Sequence, residues 1–451
     1  MSEQLTPTEL GTKPIGRLLL SYAVPAIIAM TASSLYNIVD SIVIGQVCGA
    51  LAISGLAITF PIMNLSAAFG AMVGVGASTM ISVKLGQKDY TVAQKILGNT
   101  VMLNLILGVV FGALMLIFLD PVLLFFGASN NTIGYARDYM VIILLGNVVT
   151  HSYLGLNCIL RSAGHPLYSM LCTILTVFLN VVLDVLFVYS FDMGIRGAAL
   201  ATVLAQIVAL LVQAKLFRNK NELLRWKHGI FGLERKIIGH ILSIGMSPFL
   251  MNLCACLVVI VINRGLMEQG GDLSVGAYGI VNRVAFIFVM IVMGVNQGMQ
   301  PIAGFNFGAG RYDRVMRVLW LTMIGGTLVT TSGFMLGEFF PEEVARMFTA
   351  DEELITLSSD AMRIVMVTFP IIGVQMVITN FFQSIGMPKK SIFLSLSRQM
   401  LFLVPCLVIL PKYFGVDGVW YSMPISDSIS VVTAVVLIII QIRKFKQMKT
   451  I

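Results

Sequence analysis

Leu-Arg-Ser-Ala-Gly-His-Pro-Leu-Tyr-Ser occupies residues 160–169, and Phe-Gln-Ser-Ile-Gly-Met-Pro-Lys-Lys-Ser occupies residues 382–391, an offset of 222. Ser, Gly, Pro and Ser recur at the same places in both. Gly16 and Pro25 match Gly239 and Pro248 at an offset of 223, and 193–198 matches 414–419 at 221. The Gly86 loop, with Lys88 and Tyr90, has its counterpart around Gly308, Gly310 and Tyr312. Four anchors at nearly constant spacing mark an internal duplication. The break falls in the basic stretch 217–238, the longest polar segment. The expected organisation is an N-terminal lobe at 1–216, a linker at 217–238 and a C-terminal lobe at 239–451.

Composition says what is duplicated. Of 451 residues, 57% are hydrophobic and 12% charged, and the mean hydropathy is +0.90. Soluble proteins carry roughly 25% charged residues. The 30 basic and 22 acidic residues cannot cover the surface of a soluble chain this long. That excludes a soluble enzyme, a nucleic-acid binder and a disordered scaffold. Bilayer-spanning helices need about 20 apolar residues each. Twelve such runs are present, near 15–40, 51–77, 96–118, 135–158, 168–190, 195–216, 239–262, 274–300, 315–338, 357–384, 392–411 and 416–441. Long continuous runs are not the short alternating strands of a membrane β-barrel. The fold class is therefore all-α integral membrane, with twelve transmembrane helices. Six spans per half is an even number, so both lobes share one orientation and are related by a pseudo-two-fold axis. Six cysteines lie in or beside apolar runs and are expected as free thiols. The polar first dozen residues precede an apolar run with no small-residue cleavage site, so no removable signal peptide is expected.

The loops assign orientation. With the N-terminus inside, 23 of the 30 Lys and Arg residues fall in inner segments and six in outer ones. This is the positive-inside pattern of a multi-pass membrane protein, with both termini cytoplasmic. The net charge of +8 thus belongs to one membrane face and not to a nucleic-acid site.

Ionisable residues inside spans cost about 2.5–3.5 kcal/mol at mid-helix, so they mark function. Span 1 carries Asp40 and span 5 carries Asp184, with no Lys or Arg at their depth in that half. Asn180 and Asp184 are four apart and share a helix face. Asp184 lies about 9 Å, and Thr202 of span 6 about 10 Å, from the outer ends of their spans. Two carboxylates without a basic partner can take a proton, since a charge removed from water is costly. They can instead hold a cation with oxygens from Asn180 and Thr202. The repeat offers a control: Asp40 maps to Asn263, Asn180 to Phe402, Asp184 to Cys406 and Thr202 to Met423. The cation site is therefore confined to the first lobe. Arg283, Arg398 and Asp427 form a second polar set, for which structural pairing is the favoured reading. His151 is expected to be a hydrogen-bonded core histidine. No GxxxxGK[ST] phosphate loop, catalytic constellation or His-Glu metal cluster occurs. The chain is read as a non-enzyme that uses no ATP and no cofactor, and no metal beyond sodium.

The segments Tyr36-Asn-Ile-Val-Asp40, Asn180-Val-Val-Leu-Asp184, Gly194-Ile-Arg-Gly-Ala-Ala-Leu-Ala-Thr202 and Gln300-Pro-Ile-Ala-Gly-Phe-Asn-Phe-Gly308 resemble the multidrug and toxic compound extrusion (MATE) family. The resemblance covers essentially the whole chain and looks strongest to the bacterial branch of staphylococcal multidrug exporters and DNA-damage-inducible exporters. It implies a secondary antiporter that expels lipophilic organic cations in exchange for H+ or Na+. It places Asp40, Asn180, Asp184 and Thr202 at the family's first-lobe cation site and Pro25 at a bend of helix 1. Some members carry a second-lobe glutamate in span 7, and this chain has none there. Polar and aromatic groups expected to line a substrate cleft are Tyr36, Asn37, Asn157, Asn282, Gln297, Gln300 and Gln375. The expected partners are small organic cations and the lipid bilayer, with the protein a monomer. The alternative is a flippase for a lipid-linked oligosaccharide or cell-wall precursor, which would need basic residues in the cleft to hold pyrophosphate.

Overall fold

The computed structural model describes residues 7–449, with the side chains of 7, 8, 36–39, 41, 42, 45, 50, 448 and 449 left aside. Among the described residues the chain is helical, with no strand. A short 3-10 turn (Pro7–Gly11) precedes α1 (Ile15–Cys48), α2 (Ala50–Gly86), α3 (Tyr90–Ile117), α4 (Leu119–Phe125), α5 (Ile133–Leu145), α6 (Asn147–Ser162), α7 (Pro166–Asp184) and α8 (Gly194–Leu216). The second half holds α9 (Arg235–Gly308), α10 (Tyr312–Phe339), α11 (Pro341–Arg346), α12 (Glu352–Met366), α13 (Phe369–Ser384), α14 (Pro388–Leu396), α15 (Val404–Ile409), α16 (Pro411–Phe414) and α17 (Val416–Lys449). Two π-helical segments, Val185–Ser190 and Ser397–Leu403, interrupt the spans that begin with α7 and α14.

The span count follows from geometry. Among the described residues, nine helices are long and apolar enough to cross a membrane. One of them, α9, has 74 residues. At 1.5 Å per residue it would run about 110 Å, far beyond a hydrocarbon core of about 30 Å. Gly271 at φ 67° and ψ −165° breaks it into two spans, a backbone conformation closed to residues with a Cβ. Two further spans are bent pairs: α5 with α6 at 56°, and α12 with α13 at 53°. Together these make the twelve spans expected from the sequence. The bends were not foreseen, because apolar composition runs straight through 135–158 and 357–384.

The duplication is visible in the backbone. Gly164 and Gly386 both take positive φ, 96° and 71°. In each, the next residue's N–H reaches back to close the preceding helix: His165 N to Leu160 O at 2.9 Å, and Met387 N to Phe382 O at 2.9 Å. These left-handed glycine caps satisfy carbonyls that a buried helix end would otherwise leave bare. The following serines repeat as well. Ser169 Oγ donates to Asn157 O at 3.3 Å, and Ser391 Oγ donates to Thr379 O at 3.0 Å.

The chain forms two compact units. Of the described residues, the first comprises 7–12 and 28–249, the second 13–27 and 250–449. Two of the three changeovers, at 27/28 and 249/250, follow a repeat-related proline, Pro25 or Pro248, within two residues. In the first unit Ile44, Leu123, Tyr139, Met140 and Val188 fill an apolar core. In the second, Leu266, Tyr278, Met362, Phe369 and Trp420 do so. Lipid supplies no hydrophobic drive between spans, so close packing at small residues takes its place. A Cβ on Gly373 of α13 would lie 2.7 Å from the Gly326 carbonyl of α10.

Candidate functional site

The α7 sequence carries Ser169, Thr173, Thr176, Asn180 and Asp184 at steps of 4, 3, 4 and 4. That spacing keeps all five on one helical face. The structure turns the stripe into the first unit and pairs much of it. Asn157 Nδ2 of α6 donates to Ser169 O and to Thr173 Oγ1, both at 3.2 Å. Arg161 Nη1 donates to Asn157 Oδ1 at 3.0 Å and to Ser169 Oγ at 3.2 Å. Thr176 Oγ1 bonds back to Cys172 O at 2.9 Å. The sequence reading took only the last two members of this stripe, although Ser169, Thr173 and Thr176 share its period.

At the far end of the stripe the four expected residues converge. Asp184 is fully buried, and Asp40, Asn180 and Thr202 are buried with it. Asn180 satisfies its neighbours when its amide nitrogen faces Asp184. It then donates to Asp184 Oδ2 at 2.7 Å, and its oxygen lies 3.0 Å from Thr202 Oγ1 and 3.1 Å from Thr202 N. Thr202 Oγ1 is also 3.1 Å from Ala198 O, so its one hydroxyl proton serves two acceptors. The Asp40 and Asp184 carboxyls are close neighbours in this buried corner. Carboxylates only accept, so a bond between them requires a proton on one. One oxygen on each, Oδ1, takes no hydrogen bond. A buried polar atom without a partner costs about 1–3 kcal/mol. Each member of this buried acidic pair thus keeps one oxygen open. Asp184 is the last residue of α7, and the π segment starts at Val185. Such wide turns loosen the backbone ladder and cluster at functional positions.

The other expected positions are dispersed. Asn157 is committed to the Arg161 and Ser169 network. Gln375 is buried and donates to Thr379 Oγ1 at 3.2 Å. Gln300 is buried, Gln297 half-buried and Asn282 exposed. The side chains of Tyr36 and Asn37 lie outside the described residues. Pro25 lies inside α1. Arg398 Nε donates to Asp427 Oδ1 at 2.8 Å, whereas Arg283 is exposed and joins no ion pair among the described residues. His151 is buried, with Nε2 3.3 Å from Ser66 Oγ. All six cysteines are free.

A duplicated helical bundle with a carboxylate site buried in one repeat is the build of a secondary transporter. Comparison with known proteins makes this specific. The MatE family profile matches residues 25–186 and 244–409, and the chain belongs to that family of multidrug efflux transporters. It is 24% identical over 424 residues to the multidrug export protein MepA of Staphylococcus haemolyticus strain JCSC1435, covering 94% of this chain and 93% of the relative. To MepA of Staphylococcus aureus strain MSSA476 it is 25% identical over 429 residues, covering 94% of each. Among solved structures, a MATE transporter in the bent conformation superimposes with TM-score 0.94 at 23% identity over all of both chains. An outward-facing multidrug resistance MATE transporter gives 0.91 at 24% identity over 99% of each. At such identity these structures establish the fold: twelve transmembrane helices in two lobes. The protein is thus a multi-pass membrane protein, and the relatives it matches are transporters and not enzymes.

Proposed function

We propose that the chain is a secondary active antiporter that exports lipophilic organic cations in exchange for H+ or Na+. The observation that carries this reading is the Asp40–Asp184 pair, buried without a basic partner among the described residues and with one oxygen on each left open. When the pair is empty the two carboxylates repel. A proton shared between them, or a sodium ion also held by Asn180 and Thr202 oxygens, draws α1 and α7 together. Asp40 belongs to the first unit, while residues 13–27 of the same helix belong to the second. Cation binding at Asp40 therefore pulls on a helix that both units share, and Pro25, which leaves one backbone N–H out of the helix ladder, is where it yields. The drug departs as the cation binds, and the loaded protein returns inward. We place the protein in the bacterial cytoplasmic membrane, as a monomer with both termini in the cytoplasm, because the basic loops favour that side. A pyrophosphate flippase is disfavoured, since Arg398 is already neutralised by Asp427.

The test is efflux of a fluorescent organic cation from proteoliposomes under a sodium gradient alone and a pH gradient alone. Asp40→Asn and Asp184→Asn should abolish efflux under whichever gradient drives the parent. Full drug resistance in cells carrying both variants at normal expression would overturn the coupling role.

A further inference from the structure

The polar stretch between α8 and α9 is not a loose tether. It packs along the first three turns of α3. Gln94 Nε2 donates to Leu223 O and Arg225 O, both at 3.3 Å. Asn99 Nδ2 donates to Gly232 O at 3.0 Å, and Asn99 Oδ1 accepts from Glu234 N at 2.8 Å. A Cβ on Gly98 would lie 2.1 Å from the Ile230 carbonyl, so the backbones run in close contact there. Trp226 locks the turn from inside, donating from Nε1 to Ala214 O at 2.8 Å and packing between the Phe217 and Phe231 rings.

This docking shapes a cavity of about 550 Å³ between the linker and the start of α3, all within the first unit. Lys95, Lys220, Arg225, Lys227 and His228 line it, against the single carboxylate of Glu222. That carboxylate is already engaged by His165 Nε2 at 2.9 Å. Lys95 is paired with Glu234 at 2.7 Å. Lys220, Arg225 and Lys227 make no ion pair among the described residues, and an Arg225 guanidinium nitrogen donates to the Lys220 carbonyl, which ties these two residues together. Three cations without an acidic partner around one cavity favour an anion there. The surroundings say which kind. Leu223, Phe231 and Leu233 of the same stretch are exposed, and Asn99 holds Gly232 about 13 Å along α3 from its start. The cavity thus opens where exposed apolar side chains meet basic ones, the depth of a lipid headgroup layer.

We infer that this cavity binds the phosphate of an anionic lipid headgroup, with Lys220, Arg225 and Lys227 as its ligands. The lipid would hold the linker against α3 in the membrane interface. Purified full-length protein equilibrated in mixed micelles of phosphatidylglycerol and phosphatidylcholine, with retained lipid quantified by mass spectrometry, tests this without any transport step. The parent should retain phosphatidylglycerol in preference. The triple variant Lys220→Gln, Arg225→Gln, Lys227→Gln should lose that preference by at least roughly tenfold. Lys220→Arg with Lys227→Arg should keep it, as should neutralisation of Arg443, Lys444 and Lys446 at the other end of the chain. Should the triple variant misfold, the single exposed substitutions Lys220→Gln and Lys227→Gln carry the same comparison. Undiminished phosphatidylglycerol preference in the neutralised variants overturns the site. Displacement of the lipid from the parent by millimolar inorganic phosphate overturns the headgroup assignment in favour of a free phosphate.

Discussion

Two intramembrane polar sites sit beside π-helical segments, one in each unit, and they are built on opposite principles. In the first, Asp184 ends α7 immediately before Val185–Ser190, facing Asp40. In the second, Arg398 lies inside Ser397–Leu403 and is bonded to Asp427 at 2.8 Å. The second site pairs acid with base and is internally neutral. The first pairs acid with acid and needs something from outside. Nor are the two sites repeat partners. The duplication carries Asp184 to Cys406 and Asp427 to Gln206, and Gln206 accepts from Thr150 Oγ1 at 2.5 Å. A shared helical frame thus leaves each lobe free to place its charge where its task requires. A neutral pair suits packing, and the incomplete pair is the one to which the proposed coupling assigns the cation.

The largest way to break this contrast is to remove an acid from the incomplete pair. Asp184→Asn or Asp40→Asn should cut gradient-driven efflux to background, with expression and thermal melting retained. Adding Cys406→Asp to Asp184→Asn should not restore efflux, because Asn263 supplies no second carboxylate where Asp40 has its counterpart, and Phe402 no amide where Asn180 has its own. Restored efflux would show the lobes to be interchangeable. Next in size is the neutral pair. Asp427→Leu leaves the Arg398 cation without its partner, which costs about 3–5 kcal/mol when the site is fully buried and less here, where Arg398 is partly exposed. The melting temperature should fall by several degrees, and the surviving protein should keep the parent's choice of gradient. Arg398→Met together with Asp427→Leu should recover the loss. Thr202→Val removes one oxygen from the incomplete site while Asn180 still holds Asp184. The coupling cation should bind roughly five- to tenfold more weakly, equivalent to about 1 kcal/mol for one hydrogen-bonding group. The smallest effects test the common frame. Gly164→Ala and Gly386→Ala each force a Cβ into left-handed backbone, at about 1–2 kcal/mol. They should lower stability alike, since both glycines cap equivalent helices.

Much of this contrast is legible in the linear sequence. The Gly-x-Pro-x-x-Ser repeat at 164–169 and 386–391 forces the same cap and the same serine bond in both units, because these are local interactions. Asp40, Asn180, Asp184 and Thr202 stand out because charge inside an apolar span is costly and needs a reason. The remaining stripe positions on α7 share the period of Asn180 and Asp184, but Ser and Thr in a membrane helix usually bond back to their own backbone, as Thr176 does to Cys172. Partners across the interface on α6, Asn157 and Arg161, distinguish Ser169 and Thr173. The separation of Arg283 from Arg398 and Asp427 likewise has no local signature.

The sequence by itself determined the membrane environment, the twelve spans, the duplication and the lobe that carries the acids. Each of these is written in composition, in period or in spacing along one chain. Tertiary structure alone decided that Asp40 and Asp184 come to lie close together, that Asn180 turns its nitrogen to Asp184 and its oxygen to Thr202, and that the units exchange segments just after Pro25 and Pro248. It also decided that the basic linker folds against α3 around a cavity of its own. These depend on which faces of distant helices meet, and hydropathy is the same for every rotation of a helix about its axis.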